Sequence, residues 1–244
     1  MEIAERFFKI EGEWSVIHYP YRPNGFGVFI LGDKQQFVDG KSSFWQQHIG
    51  RKQLLDALLL EGYTVFYSNL YGKHWNSLRS IDLARKTIHI VLKKEILNKK
   101  IHLLAEGMGA LTSLEIMNSP SAQIRSAAML NPCLDLPAQI LLEKQNRFYF
   151  KKLLMELAAA HGIDQKEVLK ADFRKLEDYE SDVPVRIWQK TNNSPYPYQQ
   201  HCRRYEEIRK KQGSSIDLVF HMADNSYRLH QAIPKFFKEH EKNL

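Results

Sequence analysis

The spacing of hydrophobic residues along the chain predicts alternating strands and helices. Residues 5–11 and 14–19 alternate apolar and polar positions around a short turn, which is typical of an antiparallel strand pair. Residues 27–32 are a continuous apolar run, a pattern that indicates a central strand buried on both faces of a sheet, and residues 63–67 are predicted as the next strand. Between these two segments, residues 43–61 carry leucines at helical spacing. The first quarter of the chain therefore predicts two paired strands followed by a strand, helix, strand unit.

The same alternation continues to the end of the chain. Further strands are predicted over residues 101–106, 127–130, 183–188 and 216–220, and helices over 77–97, 110–117, 198–212 and 229–239. Residues 135–180 contain helical stretches, at 150–160 and 165–178, and no convincing strand. Strands that alternate with helices predict an α/β fold with a doubly wound, mostly parallel sheet and an antiparallel N-terminal pair. We expect residues 1–244 to form one domain.

Residues 101–111 combine a buried strand, a sharp turn and the start of a helix. Small residues stand at positions 105, 107 and 109, and an apolar helical run follows from Ala110. This spacing matches the nucleophile elbow G-x-S-x-G, with Gly107 where the serine would stand. The chain resembles the α/β-hydrolase superfamily over nearly its whole length. That resemblance implies an elbow in which Gly107 has no side chain to present, and a helical lid inserted over residues 135–182.

Glycine at the elbow bears directly on catalysis. The elbow nucleophile adopts a positive φ, which strains any residue with a Cβ, and glycine removes that strain. Its presence at position 107 indicates that nucleophilic catalysis is not under selection. The alternative is that residues 105–109 form a glycine-rich strand-to-helix turn in some other α/β protein.

The resemblance also implies positions for a catalytic acid and a catalytic base. Family members carry an aspartate after the seventh strand, and Asn193 stands at that place; an amide cannot supply the charge that orients a histidine. The base would follow the last strand, where we place its equivalent at Ser226, within one residue. His221 and His230 flank that loop, and their phase predicts a strand position and a helix position. Asp135, after the sixth strand, is a position that some family members use for the acid.

The family's oxyanion hole implies a binding region around the elbow. The Met108 N–H and an N–H of the loop at Gly32 and Asp33 would point at a ligand whether or not a nucleophile is present. Glu106, Trp75 and Tyr196 complete the predicted binding set. Aromatic side chains of the same face line the predicted pocket or belong to ordinary packing: Phe37, Phe44, Trp45, Tyr71, Trp75 and Tyr196. Cys133 lies beside a proline with no evident base, which favours buried packing over nucleophilic work.

Composition narrows the function classes. The net charge of +7 and the pI of about 9.2 make nucleic acid and anionic surfaces candidate partners. The basic clusters are interleaved with glutamates at helical spacing, which predicts solvated helix faces and argues against specific nucleic-acid recognition. Two distant cysteines, Cys133 and Cys202, form no metal or disulfide pattern, and we expect neither metal nor cofactor. Without a signal sequence or a membrane span, we expect a cytoplasmic protein.

Two functional hypotheses follow. The first is an α/β-hydrolase-like protein without nucleophile, acid or base, which binds a small ligand or a protein partner without catalysis. The alternative is an unorthodox esterase- or thioesterase-like hydrolase of small acyl substrates that uses Glu106, His230 or Asp135 in unusual roles.

Overall fold

An eight-stranded sheet forms the centre of the molecule. The computed structural model describes residues 4–119, 123–222 and 228–241. The strand order is β1-β2-β4-β3-β5-β6-β7-β8. β1 is antiparallel to β2, β2 is antiparallel to β4, and the remaining pairs are parallel. The strands are β1 (Ala4–Ile10), β2 (Glu13–Tyr19), β3 (Gly27–Leu31), β4 (Thr64–Ser68), β5 (Ile101–Glu106), β6 (Ile124–Leu130), β7 (Val185–Lys190) and β8 (Ile216–His221).

Helices cover both faces of this sheet. They are α1 (Phe44–Gln47), α2 (Ile49–Leu60), α3 (Leu78–Lys94), α4 (Gly109–Met117), α5 (Leu136–Glu143), α6 (Arg147–His161), α7 (Arg204–Lys211) and α8 (Leu229–Glu239). One core cluster joins Phe29 and Leu103 of the sheet to α3, α4 and residues near α7. A second cluster joins Val28 and Leu104 to α1, α2 and α8. Because neighbouring strand residues face opposite sides, both sides of the central strands are buried, as their continuous apolar runs predict.

The predicted fold class is confirmed. The N-terminal antiparallel pair, the parallel strands and the intervening helices all occur within a few residues of the expected positions. The helix expected over 43–61 is divided at His48 into α1 and α2.

One predicted helix is wrong. Residues 165–178 form successive turns and a single 3-10 turn, Leu176–Asp178. Val168 is buried in the cluster around α6, whereas Leu176 is buried in the core cluster beside α3. The segment therefore crosses between two clusters and does not present one apolar face to a single layer, which removes the packing that stabilises most helices.

The chain between β6 and β7 packs over the carboxyl ends of the central strands. It contains α5 and α6, whose apolar sides form a third cluster with Trp75, Met108 and Tyr196. Within the described residues, no helix combines the length and hydrophobicity needed to cross a membrane.

Candidate functional site at the β5–α4 turn

The turn between β5 and α4 has the geometry expected of a nucleophile elbow. Gly107 has a φ of +52°, in the left-handed region that favours glycine. Its N–H donates to Leu130 O at 3.1 Å, and its carbonyl accepts from Cys133 N at 2.9 Å. A Cβ at Gly109 would lie 2.2 Å from Leu31 O, so the second glycine lets α4 begin against the end of β3. These two glycines hold the tight strand-to-helix turn in place.

The space that a side chain at position 107 would enter is occupied by a carboxylate. A Cβ on Gly107 would lie 2.1 Å from Asp33 Cγ and within 2.5 Å of both carboxylate oxygens. Asp33 follows β3 by two residues, and its Oδ1 accepts the Met108 N–H at 3.0 Å. The Tyr196 hydroxyl donates to the same oxygen at 2.9 Å. The N–H predicted as an oxyanion donor is therefore already bound to a side chain of the protein.

Several groups determine the charge of Asp33. Burial raises the pKa of this carboxyl above its usual value, while hydrogen bonds from the Met108 and Lys34 N–H groups and from Tyr196 act in the opposite direction. Burial and the Asp33 charge raise the pKa of Tyr196 well above its usual value. The tyrosine therefore remains protonated and acts as a donor to the carboxylate.

Buried apolar side chains pack together over the elbow. Trp75, Met108 and Tyr196 are each 0 % exposed. Lys34 Nζ lies 4.4 Å from the centre of the Trp75 ring and 5.6 Å from that of Tyr196, within the range of cation–π attraction. The Trp75 indole donates to Glu156 Oε2 of α6 at 3.0 Å. The α5–α6 segment thus closes the space above the elbow.

Glu106 precedes the elbow and is held by an arginine of α2. Arg51 Nε donates to Glu106 Oε2 at 2.8 Å, and a second guanidinium nitrogen bonds the other carboxylate oxygen. Both side chains are less than one-fifth exposed. A bidentate pair of this kind restrains both groups, so Glu106 is held at the rim by Arg51.

The predicted acid position, Asn193, does not join this cluster. Asn193 lies in the loop after β7, is exposed, and has a φ of +54°. Ser226 lies outside the described residues. His221 is the last residue of β8, and His230 lies in α8, in agreement with their predicted phases.

Two further candidates have structural partners. Asp135 caps α5 by accepting from Ala138 N at 2.8 Å, and it pairs with Arg204 at the same distance. Cys133 is buried, and burial together with the Asp33 charge raises the pKa of its thiol well above the usual value. The thiolate that nucleophilic attack requires is therefore disfavoured.

His201 is the histidine whose ring contacts the Tyr196 ring, at 5.9 Å between centroids. It is buried in a short π-helical segment, Gln199–Arg203. Its Nδ1 accepts from the N–H groups of Leu134 and Asp135, and its Nε2 lies 3.0 Å from Gln139 Oε1. Burial lowers its pKa to about 4. Both ring nitrogens are engaged, so this imidazole holds the loop after β6 and is not positioned as a base for the elbow.

The predicted aromatic lining separates into different parts of the fold. Tyr196 bonds Asp33 and shares a buried cluster with Trp75, whereas Trp45 belongs to the α2 side of the sheet and Tyr71 packs against the opposite core. Phe37 and Phe44 are joined by a backbone hydrogen bond ahead of α1. The sequence predicted that a backbone N–H near Asp33 contributes to the site, but it did not predict that the Asp33 carboxylate occupies it. The available signal was an acidic residue directly after the Gly32 turn.

No protein-family model matches the chain, and no curated protein sequence matches it. Solved structures do share its architecture. A puromycin-hydrolyzing peptidase of Mycobacterium tuberculosis superposes with a TM-score of 0.73 at 13% identity, covering 99% of this chain and 40% of the peptidase. Est1E from Butyrivibrio proteoclasticus superposes with a TM-score of 0.65 at 16% identity, covering 98% of this chain and 99% of Est1E.

A third similar structure is carboxyl esterase 2 of the fungus Tuber melanosporum, with a TM-score of 0.68 at 12% identity over 98% of this chain and 88% of the esterase. This chain thus spans less than half of the peptidase but nearly the full length of the esterases. Identities this low carry the architecture and not the activity. The mostly parallel eight-stranded sheet with its antiparallel first pair and flanking helices, together with the superposition on these structures, shows that the chain has the α/β-hydrolase fold.

Proposed function

We propose that this chain is a non-catalytic α/β-hydrolase-fold protein that binds a small ligand or a protein partner. The observation that carries the proposal is the Asp33 carboxylate, which lies where an elbow side chain would project and takes the Met108 N–H. An oxyanion hole accelerates acyl transfer by keeping its donors free for charge that develops in the transition state. A donor already bound to a carboxylate gives no such advantage.

The closed surroundings support the same proposal. Trp75, Met108 and Tyr196 are fully buried in the cluster with α5 and α6, so an acyl substrate or any other small ligand reaches Gly107 only if this packing opens. The imidazole near Tyr196 is committed to backbone N–H groups and to Gln139. Nucleophilic catalysis needs an attacking atom next to a base, and the described residues around Gly107 do not provide that pair.

Ester turnover and covalent labelling test this proposal. Purified protein is incubated with p-nitrophenyl acetate and butyrate and, separately, with a fluorophosphonate probe. We expect hydrolysis at the rate of the buffer and no labelled residue. Gly107→Ser is expected to remain inactive, because an acid and a base are still missing. Turnover above background that a substitution in the elbow region abolishes, or labelling within the elbow region, contradicts the proposal.

The comparisons favour a second candidate, an unorthodox hydrolase of small acyl substrates. The similar structures include esterases that match nearly the whole length of the chain, and Asp33 supplies a carboxylate at the place of the nucleophile. In this scheme Asp33 attacks the acyl carbonyl, the alcohol leaves with a proton from water, and water hydrolyses the resulting anhydride. In this candidate function, Glu106 and His230 are the other side chains expected to take part in turnover.

Three variants separate the two candidates. If the protein hydrolyses an ester or thioester, Asp33→Asn, Glu106→Gln and His230→Ala are assayed beside the wild type. Loss of turnover in Asp33→Asn, with ¹⁸O from labelled water appearing in the Asp33 carboxyl after single turnover, supports the hydrolase. Activity that is unchanged in all three variants points to a contaminating enzyme and leaves the non-catalytic proposal standing.

A further inference from the structure

The outer face of α6 differs from the other helix surfaces in the kind of side chain it exposes. Phe148 is 72 % exposed, Tyr149 55 % and Met155 57 %. Their neighbours on the same turns are Arg147, Lys151 and Lys152, which are also exposed. Phe148, Met155 and the three cations share the solvent side of the helix, and Tyr149 flanks them in the first turn, in the row of Leu153. We call these six residues the α6 outer face. The opposite side of the helix, with Leu153 and Leu157, is buried over the elbow.

Helix geometry brings these side chains together. Phe148, Lys152 and Met155 are spaced by four and three residues, so they lie in one row along the helix. Lys151 and Arg147 form the adjacent row, four residues apart. The rings of Phe148 and Tyr149 contact each other with centroids 5.6 Å apart. The result is a protruding apolar group flanked by three cations.

The three cations have no carboxylate partner among the described residues. Many other basic side chains of the surface are paired, for example Arg174 with Glu115 and Lys210 with Glu206. The acidic residue of α6, Glu156, points to the other side of the helix and binds Lys73 and Trp75. The positive charge of the α6 outer face is therefore left uncompensated within the structure that is described.

We propose that the α6 outer face docks this protein on anionic lipid bilayers. Lysines and arginines that flank exposed aromatic side chains match the interfacial region of a bilayer, where the rings enter the headgroup layer and the cations meet anionic lipids. The net charge of +7 favours approach to the same surface.

The shape of the face favours a bilayer over an acidic peptide. Peptide recognition by helices uses an apolar groove or pockets, whereas here the apolar side chains project outward from one helix. Two surface cavities, of about 660 and 360 Å³, are lined by other residues, near Lys100 and between α2 and α8. The inference does not depend on whether the elbow is catalytic.

Sedimentation with vesicles tests the docking of the full chain. Phosphatidylcholine vesicles with about 30% phosphatidylserine are compared with pure phosphatidylcholine vesicles at low and at moderate salt. We expect binding to the anionic vesicles that weakens with salt, because exposed charges are screened. Equal binding to neutral vesicles, or no binding to the anionic ones, overturns the proposal.

Paired charge reversals locate the binding surface. Lys151→Glu/Lys152→Glu is expected to weaken binding at least about tenfold, since each basic residue near an anionic bilayer contributes substantially. Lys99→Glu/Lys100→Glu changes the net charge equally at exposed residues remote from α6, and a change below about twofold is expected. Equal losses in both pairs would assign binding to overall charge and overturn the proposed surface.

Aromatic substitutions test insertion separately from charge. Phe148→Ser/Tyr149→Ser keeps the net charge and is expected to reduce vesicle binding, because the apolar contribution is lost. The fluorescence of the tryptophan in Phe148→Trp is obtained by subtracting the wild-type emission from that of the variant. This difference is expected to shift to shorter wavelength when anionic vesicles are added. Unchanged binding in the serine variant overturns insertion. Binding to soluble polyglutamate with the same variant dependence, without vesicle binding, assigns the face to an acidic polypeptide instead.

Discussion

Tyr196 donates a hydrogen bond to Asp33 across 2.9 Å, although the two residues are 163 positions apart in the chain. The bond joins the loop after β7 to the loop after β3, directly above Gly107. Asp33 is thereby held between a side-chain donor and the Met108 N–H. Long-range contacts therefore keep the Asp33 carboxylate at the elbow. Substitutions there should change the free energy of unfolding, which can be measured alongside activity.

Gly107→Ser is expected to destabilise the protein without creating a hydrolase. The new side chain is strained at a φ of +52° and displaces Asp33 from its two donors. Strain and lost hydrogen bonds together are expected to lower the free energy of unfolding by about 3 kcal/mol. Urea denaturation measures this change, and p-nitrophenyl ester assays measure activity.

Gly213→Ser provides the matched control for this substitution. Gly213 has a φ of +70°, and a Cβ there would meet no atom within 4 Å, so its serine variant reports backbone strain alone. We expect a loss of about 1 kcal/mol. When Asp33 is already alanine, the serine at position 107 has no carboxylate to displace. The loss of unfolding free energy from Asp33→Ala to Gly107→Ser/Asp33→Ala should therefore approach about 1 kcal/mol. Equal effects of the two serine substitutions in the wild type would contradict an Asp33 carboxylate at the elbow.

Asp33→Ala is expected to create a site for a small carboxylate. Removal of the side chain leaves the Met108 N–H and the Tyr196 hydroxyl without their acceptor, which costs about 2 kcal/mol or more. Formate can fill the space and accept both hydrogen bonds, so formate should raise the midpoint of thermal unfolding of the variant. Differential scanning calorimetry against chloride of equal ionic strength measures the effect, and an equal rise in the wild type would refute it.

The pH dependence of stability is expected to reflect neutral buried histidines. Burial lowers the pKa of His201 to about 4, below the value near 6.5 in the unfolded chain. Between these values the unfolded chain binds a proton that the folded chain does not. The contribution of His201 to stability is therefore full above about pH 6.5 and is lost as the pH is lowered toward 4, by up to about 1.4 kcal/mol per pH unit. His18 and His74, whose pKa values burial also lowers to about 4, add to the same decline.

The variant His201→Gln should have a shallower decline over this pH range, measured by urea denaturation at several pH values. In the wild-type protein, NMR signals of the His201 ring should remain those of a neutral imidazole down to about pH 5. A titration midpoint near 6.5 for this ring would show that the buried contacts with Gln139 and the backbone are not maintained.

The local parts of the site were predictable, and the long-range parts were not. The strand-to-helix turn was predicted because its small residues lie within a few positions of one another, and the sheet because its strands are short apolar runs or alternate apolar and polar positions. The Asp33 contact with Met108 joins residues 75 positions apart, and no sequence periodicity records the direction of a loop side chain. The expected helix over 165–178 was wrong for the same reason, since Val168 and Leu176 pack into different clusters.

Asp135 is expected to contribute stability and no chemistry. One carboxylate oxygen accepts the Ala138 N–H at the start of α5, while the other pairs with Arg204. Asparagine is as good an N-cap as aspartate, whereas alanine removes the cap and costs about 1 kcal/mol. Asp135→Ala should therefore be less stable than Asp135→Asn by about that amount, as measured by urea denaturation. Both variants lose the pair with Arg204, so the difference between them reports the cap alone. Both variants should leave ester hydrolysis at the wild-type level. If the wild type hydrolyses an ester and both variants lose the same share of that activity, the Asp135 charge takes part in the reaction.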